Sequence, residues 1–427
     1  MVIDRPEYMD RLISKIGNGM IKVITGIRRC GKSYLLFNLF SDYLLTHGTD
    51  EDCIIKIPLD DDDYSELRNP DNLKDYIRQH MTASDKQYFI FIDEAQFAIS
   101  KEEMADKDKP IRLYGILSGL LRKGNAEIYI TGSNSKFLSS DIRTEFRDRG
   151  DDIYIAPLSF SEYYHASSLD KYDAWREYIF FGGLPHVLEE RGDINKMNYL
   201  KSLNKKTYLA DLVERNALKT DSRIEELMKV LASSIGSPVN PKRISDTFIS
   251  NKEKGITEPT IKKYIGYLEE AFIVSKSERY DVKGRRYISS QNKYYYTDVG
   301  LRNALLNFRQ QEESHIMENV IFNELIGRGL SVDTGVVVKD VTIEGKHERR
   351  QFEVDFVVNG PNTKVYIQSA LAITDDKKMQ QELASLNSIP DSFKKIVVTG
   401  GNYKPWQNEQ GIQFVPLFDF LLNKSML

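Results

Sequence analysis

The chain has 427 residues, 41% hydrophobic and 29% charged, with a net charge of −4. That length exceeds one core of ordinary size and points to two to four domains. No apolar run approaches the roughly 18 residues of a membrane helix, and two cysteines, Cys30 and Cys53, exclude a disulfide framework or a cysteine zinc cluster. The opening stretch MVIDRPEYMDRL carries acids early and has no apolar centre, so no secretory signal is expected and a reducing cytoplasm is. Charge is uneven. Residues 236–300 hold twelve Lys/Arg against eight Asp/Glu, a local excess of +4, so the remainder carries −8. A basic module within an acidic chain hints at an anionic partner.

In chain order, the first informative stretch is KVITGIRRCGKSYLL, residues 22–36. IKVIT alternates like a strand, SYLLFNLFSDYLL has helical apolar spacing, and GIRRCGKS between them satisfies G-x-x-x-x-G-K-[ST]. Such a loop aims backbone N–H groups at phosphates, so Gly26, Ile27, Arg28, Arg29, Cys30, Gly31, Lys32, Ser33 and Tyr34 are candidate ATP contacts. Lys32 would reach the β- and γ-phosphates, and the Ser33 hydroxyl would hold Mg²⁺. Cys30 reads as a small residue that fits the loop. The acidic run at 60–64 follows the strand-like CIIKIPL and reads as a solvated loop.

YFIFIDEAQ, residues 88–96, reads as a buried parallel strand whose C-terminal end releases two acids, where open α/β sheets place ligands. Asp93 would bind Mg²⁺ through water. Glu94 would orient the attacking water, since phosphoryl transfer is mostly positioning and charge stabilisation. A third strand, AEIYITGSN at 126–134, ends in polar residues at the same edge. Asn134, or Ser133, would sense the γ-phosphate or place water; the competing reading is a simple strand-ending turn. Beyond it lie Arg143, Arg147 and Arg149. One of them could stabilise transition-state charge on a neighbouring subunit, or all three are plain surface arginines.

TGIRRCGKSYLL, FIDEAQ, ITGSNSKFLSS, an arginine eight residues before the proline of PLSFSEYY, and FFGGLPHVLEE occur in that order. Together they resemble the prokaryotic AAA+ ATPases that carry a C-terminal domain of unknown function, over essentially the whole chain. The resemblance implies that Arg149 acts in trans in a homo-oligomer, such as a hexameric ring. It also implies that Gly182-Gly183-Leu184-Pro185 opens a helical lid. His186 and Arg191 follow that proline, and no second sensor is assigned.

In the middle, IEELMKVLASSI places Ile224, Leu227, Met228, Leu231 and Ile235 on one helical face. NPKRISDTFI starts with Asn240 as cap and Pro241 at the first helical position. TEPTIKKYIGYLEEAFIV repeats the signal with Thr257 and Pro259, burying Ile261, Tyr264, Ile265 and Leu268 and leaving Lys262 and Lys263 outside. Two strand-like runs follow, joined by DVKGRR. This is the order of a winged helix, which the resemblance also implies. Lys262 and Lys263 would then lie in a DNA groove, with Lys283, Arg285 and Arg286 of the wing on phosphates. The competing reading is a protein-contact module with wet lysines.

The last third reads as a helix over 313–330, a strand at 350–359 containing Asp355, a strand at 364–371, a helix and a strand. That order is similar to the PD-(D/E)XK nuclease core, but Gln368-Ser369-Ala370 stands where the active signature has Glu-x-Lys. Lys364 lies six residues from Ala370, roughly 20 Å along a strand, and is out of reach. Lys377 or Lys378 would have to lean back. Nuclease activity is not expected, and Glu318 and Asp355 read as structural.

The expected architecture is α/β. A P-loop AAA+ three-layer core spans 1–165, a helical lid 166–220, a winged helix 221–305 and a degenerate nuclease-like domain 306–427. The expected activity is Mg²⁺-dependent ATP hydrolysis coupled to binding or remodelling of duplex or branched DNA. The alternative is an ATP-gated switch or regulator that binds DNA or a protein with little motor activity.

Overall fold

In the computed structural model, the described residues are 2–100, 102–103, 110–133, 150–216, 218, 222–250, 256–309, 312–343, 346–361, 363–373 and 375–426. They fall into two compact units, Met1–Pro157 with Glu270–Phe272, and Leu158–Glu269 with Ile273–Leu427.

The first unit is built on five parallel strands: β1 (Ile21–Thr25), β2 (Ile54–Pro58), β3 (Tyr88–Asp93), β4 (Ala126–Gly132) and β5 (Gly150–Tyr154). Their order is β2-β3-β4-β1-β5, with every pairing parallel. β1, β3 and β4 are buried along their whole length, as continuous apolar runs in a sheet covered on both faces require. One face packs against α3 (Pro70–His80) and α4 (Arg112–Leu121), through Leu73, Ile77, Leu113 and Leu117. Asn69 caps α3 by accepting from the Asp71 N–H, and Pro70 takes the first position, where its missing N–H costs nothing. Before the sheet runs α1 (Pro6–Ser14), which buries Tyr8 and Leu12.

The helix after the phosphate loop departs from the expected plain α-helix. Lys32–Tyr34 is α-helical, Leu35–Phe40 is π-helical and Ser41–Thr46 is α-helical again; together they form α2. The wider π turn brings Leu36 and Phe40 onto one buried face, where Phe40 packs on Phe91 and Tyr129 of the sheet. A regular apolar period carries no mark of such a bulge.

The second unit begins with helices α5 (Phe160–Ala166), α6 (Lys171–Phe181) and α7 (Asp193–Leu203). Ser159 and Glu162 form a capping box on α5. Then come α8 (Ala210–Arg215), α9 (Ser222–Ser233), α10 (Pro241–Ser250) and α11 (Glu258–Glu270). Ile224, Leu227, Met228, Leu231 and Ile235 are all buried, as are Ile261, Ile265 and Leu268. The Asn240 carboxamide caps α10 by accepting from the N–H groups of Lys242 and Arg243 at 3.0 and 3.2 Å.

β6 (Val274–Asp281) and β7 (Arg286–Tyr296) follow as an antiparallel hairpin. α12 (Val299–Leu305) and α13 (Glu313–Gly327) lead to β8 (Ser331–Ile343), β9 (Lys346–Gly360), β10 (Thr363–Ala370), α14 (Asp376–Asn387), β11 (Lys394–Thr399), β12 (Trp406–Gln407), β13 (Gln413–Pro416) and α15 (Leu417–Leu422). The hairpin is not free-standing. β6 pairs in parallel with β8, so β6 and β7 form one edge of an eight-stranded sheet ordered β12-β13-β11-β10-β9-β8-β6-β7. Among the described residues, no helix is long and apolar enough to cross a membrane.

Candidate functional site

The loop between β1 and α2 turns on backbone shapes that few residues adopt. Gly26 has φ 147°, and a Cβ there would sit 2.1 Å from the Ile155 carbonyl oxygen, so only glycine fits. Arg29 is left-handed at φ 66°. Lys32 is buried, and its ammonium donates to the carbonyls of Gly26 and Ile27, each at 3.0 Å. Ser33 and Tyr34 are exposed at the start of α2. Cys30 is buried, and its thiol donates to the Ile155 carbonyl at 3.3 Å.

The acids at the end of β3 lie close by. The Asp93 carboxylate accepts a hydrogen bond from the Thr131 hydroxyl, and the Ser33 hydroxyl lies near enough to act on its charge. Burial holds its pKa above the ordinary carboxylate value, and those two hydroxyls oppose the shift. Glu94 is left-handed at φ 50°, an outlier for a residue with a Cβ. Its N–H donates to the Thr131 hydroxyl at 2.9 Å. Its carboxylate accepts from the Gln96 amide and from the Ser133 hydroxyl, the latter at 3.3 Å. Lys32 and Ser33 of the loop and Asp93 and Glu94 at the end of β3, from two separate stretches of sequence, thus meet at one end of the sheet.

A hydroxyl, Ser33, close to a carboxylate, Asp93, suits Mg²⁺, which keeps most of its waters and takes few protein ligands alongside phosphates. Among the described residues, no cluster of three or more His, Cys, Asp or Glu side chains is arranged to hold a metal by itself. Asn134, Arg143, Arg147 and Arg149 lie outside the described residues.

Sequence reasoning missed three contributors. Thr131 is a buried polar residue at the end of an apolar strand, a signal that was legible. Gln96, directly after the acids, was also in view. Arg5 gave no signal. It is 4% exposed, and its guanidinium donates to the carbonyls of Cys30 in the loop, at 3.1 Å, and Ala156 beyond β5, at 3.0 Å.

The sequence pattern of the AAA domain family matches residues 18–164, and that of a domain of unknown function (DUF8612) matches residues 172–312. An uncharacterized protein of Haemophilus influenzae is 30% identical over 426 residues, which is 99% of each chain. The chain belongs to one family with this Haemophilus protein and carries an AAA domain over residues 18–164. An uncharacterized protein of Methanocaldococcus jannaschii is 26% identical across 87% of this chain and 79% of its own length. Cdc6p from Pyrobaculum aerophilum aligns over 74% of this chain and 93% of its own at 12% identity, with a TM-score of 0.30, too loose a superposition to bear on function.

In the second unit, the residues singled out for nucleic acid are exposed. Lys262 and Lys263 project from α11, Lys262 pairing with Glu258 at 2.8 Å. Lys283, Arg285 and Arg286 crowd the β6–β7 turn. That turn is fixed by the Asp281 carboxylate, which accepts from the Gly284 N–H at 2.9 Å.

Asp355 and the Gln368-Ser369 pair lie side by side in the sheet. Asp355 accepts from the Ser369 N–H at 2.8 Å and donates its own N–H to the Gln368 side chain at 3.4 Å. Lys364 and Lys378 are engaged elsewhere. The Lys378 ammonium pairs with Glu382 at 2.7 Å, and Lys364 lies over aromatic rings. The amine near Asp355 comes from Lys293 of β7, which is 2% exposed. It lies 2.9 Å from Glu318, 2.7 Å from Glu353 and 3.6 Å from Asp355. Burial pushes the Asp355 carboxyl up, with the Glu318 charge adding to the effect. For Lys293, burial acts downward but the three carboxylates outweigh it, so the ammonium is held charged. A lysine directly before the three tyrosines of NKYYYTD was its sequence signal.

Proposed function

We propose that this protein binds ATP with Mg²⁺, hydrolyses it, and couples turnover to DNA binding or remodelling as a homo-oligomer. The meeting of Lys32 and Ser33 with Asp93 and Glu94 at one sheet end carries the reading. In this proposal Gly26–Tyr34 wraps the phosphates, Lys32 offsets their charge, Ser33 and Asp93 hold Mg²⁺, and Glu94 orients water. Arg149 acts across a subunit boundary, and Asn134 senses the γ-phosphate. The left-handed backbone at Glu94, tied by Thr131 and Gln96, supports the water-orienting role, because strain of this kind persists where surroundings over-determine it. For DNA, the support is chemical. Five exposed cations on α11 and the β6–β7 turn suit phosphates.

The test is ATP hydrolysis with and without duplex and junction DNA. Lys32→Ala should abolish nucleotide binding. Glu94→Gln should keep binding and lose turnover by a factor on the order of 10² or more. DNA should raise the wild-type rate several-fold. Unmutated protein that neither binds nor consumes ATP under magnesium would refute the proposal, and a rate indifferent to every DNA would remove the coupling.

A further inference from the structure

We infer that the β6–β7 turn, the start of β10 and the segment before β11 together form a platform for a single-stranded polynucleotide. The inference rests on the nucleic-acid reading above and narrows it to the form of the strand. Two large aromatic side chains are unusually exposed here, Tyr287 at 60% and Phe393 at 50%. They are linked through one small cluster. Tyr280 and Tyr287 are cross-strand partners whose rings meet edge-on at 5.5 Å. The Lys364 ammonium lies 5.5 Å from the Tyr280 ring, 5.1 Å from Tyr366 and 5.4 Å from Phe393.

The rings are held from behind. The Tyr287 hydroxyl donates to Asp333 at 3.1 Å, and the Tyr366 hydroxyl to Asp391 at 2.6 Å. Tyr366 is buried in the core under α14, with Tyr280 packed against that core. The platform is therefore anchored rather than a pair of loose side chains. Cations surround it. Lys283, Arg285 and Arg286 are exposed on the turn, and Arg285 lies near enough for its charge to act on the Tyr366 phenol. The neighbouring carboxylates are already engaged: Asp281 with the turn and 3.8 Å from Arg286, Asp333 and Asp391 with tyrosines.

Exposed rings interleaved with cations bind unpaired bases by stacking and the backbone by charge. A duplex shields its base faces within its own stack, so it would use only the cations and leave Tyr287 and Phe393 idle. An acidic peptide would use the charge but has no flat faces to cover both rings.

The test uses the full chain and fluorescence anisotropy at low salt. The probes are an oligothymidylate and an oligouridylate of about 20 nucleotides, a duplex of equal length and a polyglutamate peptide. Tyr287→Ala and Phe393→Ala should each weaken single-strand binding about tenfold or more, leaving duplex affinity unchanged at a temperature where each variant is fully folded. Tyr287→Phe keeps the ring and loses only the bond to Asp333, so it should bind within about threefold of wild type. Arg286→Ala should lower the salt dependence, which the ring variants should not alter. The two single strands separate DNA from RNA as the source. Single-strand affinity indifferent to both ring variants, an equal loss on duplex, or tight binding of polyglutamate would overturn the platform. Duplex binding that survives such a result would leave the broader DNA reading standing, whereas no binding to any polynucleotide would end both.

Discussion

The Thr131 hydroxyl donates to the Asp93 carboxylate and accepts the N–H of Glu94 at 2.9 Å. One buried side chain on β4 therefore fixes both acids that end β3. Thr131→Val keeps the shape and removes the hydroxyl. It should lower the hydrolysis rate roughly 10- to 100-fold, the worth of a hydrogen bond to a charged group. Nucleotide affinity should stay within about threefold, because Lys32 and the loop are untouched. Steady-state kinetics beside a nucleotide titration checks this, and an unchanged rate would remove Thr131 from the site.

Arg5 ties the phosphate loop to the segment after β5 through the carbonyls of Cys30 and Ala156. Arg5→Ala leaves these carbonyls without their donor and should destabilise the first unit by about 1–3 kcal/mol. If Arg5 positions the loop, nucleotide affinity should also fall several-fold at a temperature where the variant is fully folded, with Arg5→Lys intermediate. A lower melting temperature with unchanged affinity would mark a purely structural role.

How much of this was legible follows from where each signal lay. The strands β1, β3 and β4 are buried end to end, so their apolar runs were readable, and the loop and acids sit at their ends. Contacts that depend on tertiary approach were not. Arg5 reaches Ala156 across 151 positions, and nothing local distinguishes it from a surface arginine. The Lys293 cluster draws on β7, α13 and β9. Searching forward from Gln368-Ser369-Ala370 looks only at β10 and α14, whereas pairing of β6 with β8 brings the hairpin into the same sheet. The π turn in α2 left no trace because its apolar spacing also fits an ordinary helix.

Lys293, itself buried, faces the buried carboxyls of Glu318 and Asp355 and the partly exposed one of Glu353. Lys293→Met should destabilise the second unit by about 3–5 kcal/mol, because it leaves buried charge without compensation. Adding Asp355→Asn should recover part of that loss, since the burial-strained carboxyl is then gone. A double-mutant cycle in denaturant measures the coupling. Simple additivity would show that Lys293 and Asp355 do not act as one ionic cluster.

Asp298 is buried at the start of α12. Its carboxylate accepts from the N–H groups of Gly183, at 2.7 Å, and Leu301, at 2.9 Å. It thereby joins the Gly182-Gly183-Leu184-Pro185 turn to the helix. The fit is close, since a Cβ on Gly300 would meet the Phe181 carbonyl at 1.9 Å. Burial pushes the Asp298 pKa up to about 6 from 3.8. A carboxyl raised in the fold binds its proton more tightly there than in the unfolded chain. Its contribution is complete below the unfolded value and is lost as pH rises through the folded one. Wild-type stability should therefore fall between about pH 4 and pH 6 by on the order of 3 kcal/mol from this group. Asp298→Asn turns an NH₂ toward backbone donors and should cost about 1–3 kcal/mol, while removing that titration. The gap between wild type and variant should be widest near pH 4 and narrow toward pH 7. Denaturant midpoints across this range check it, and parallel pH profiles would show that Asp298 does not titrate in the fold.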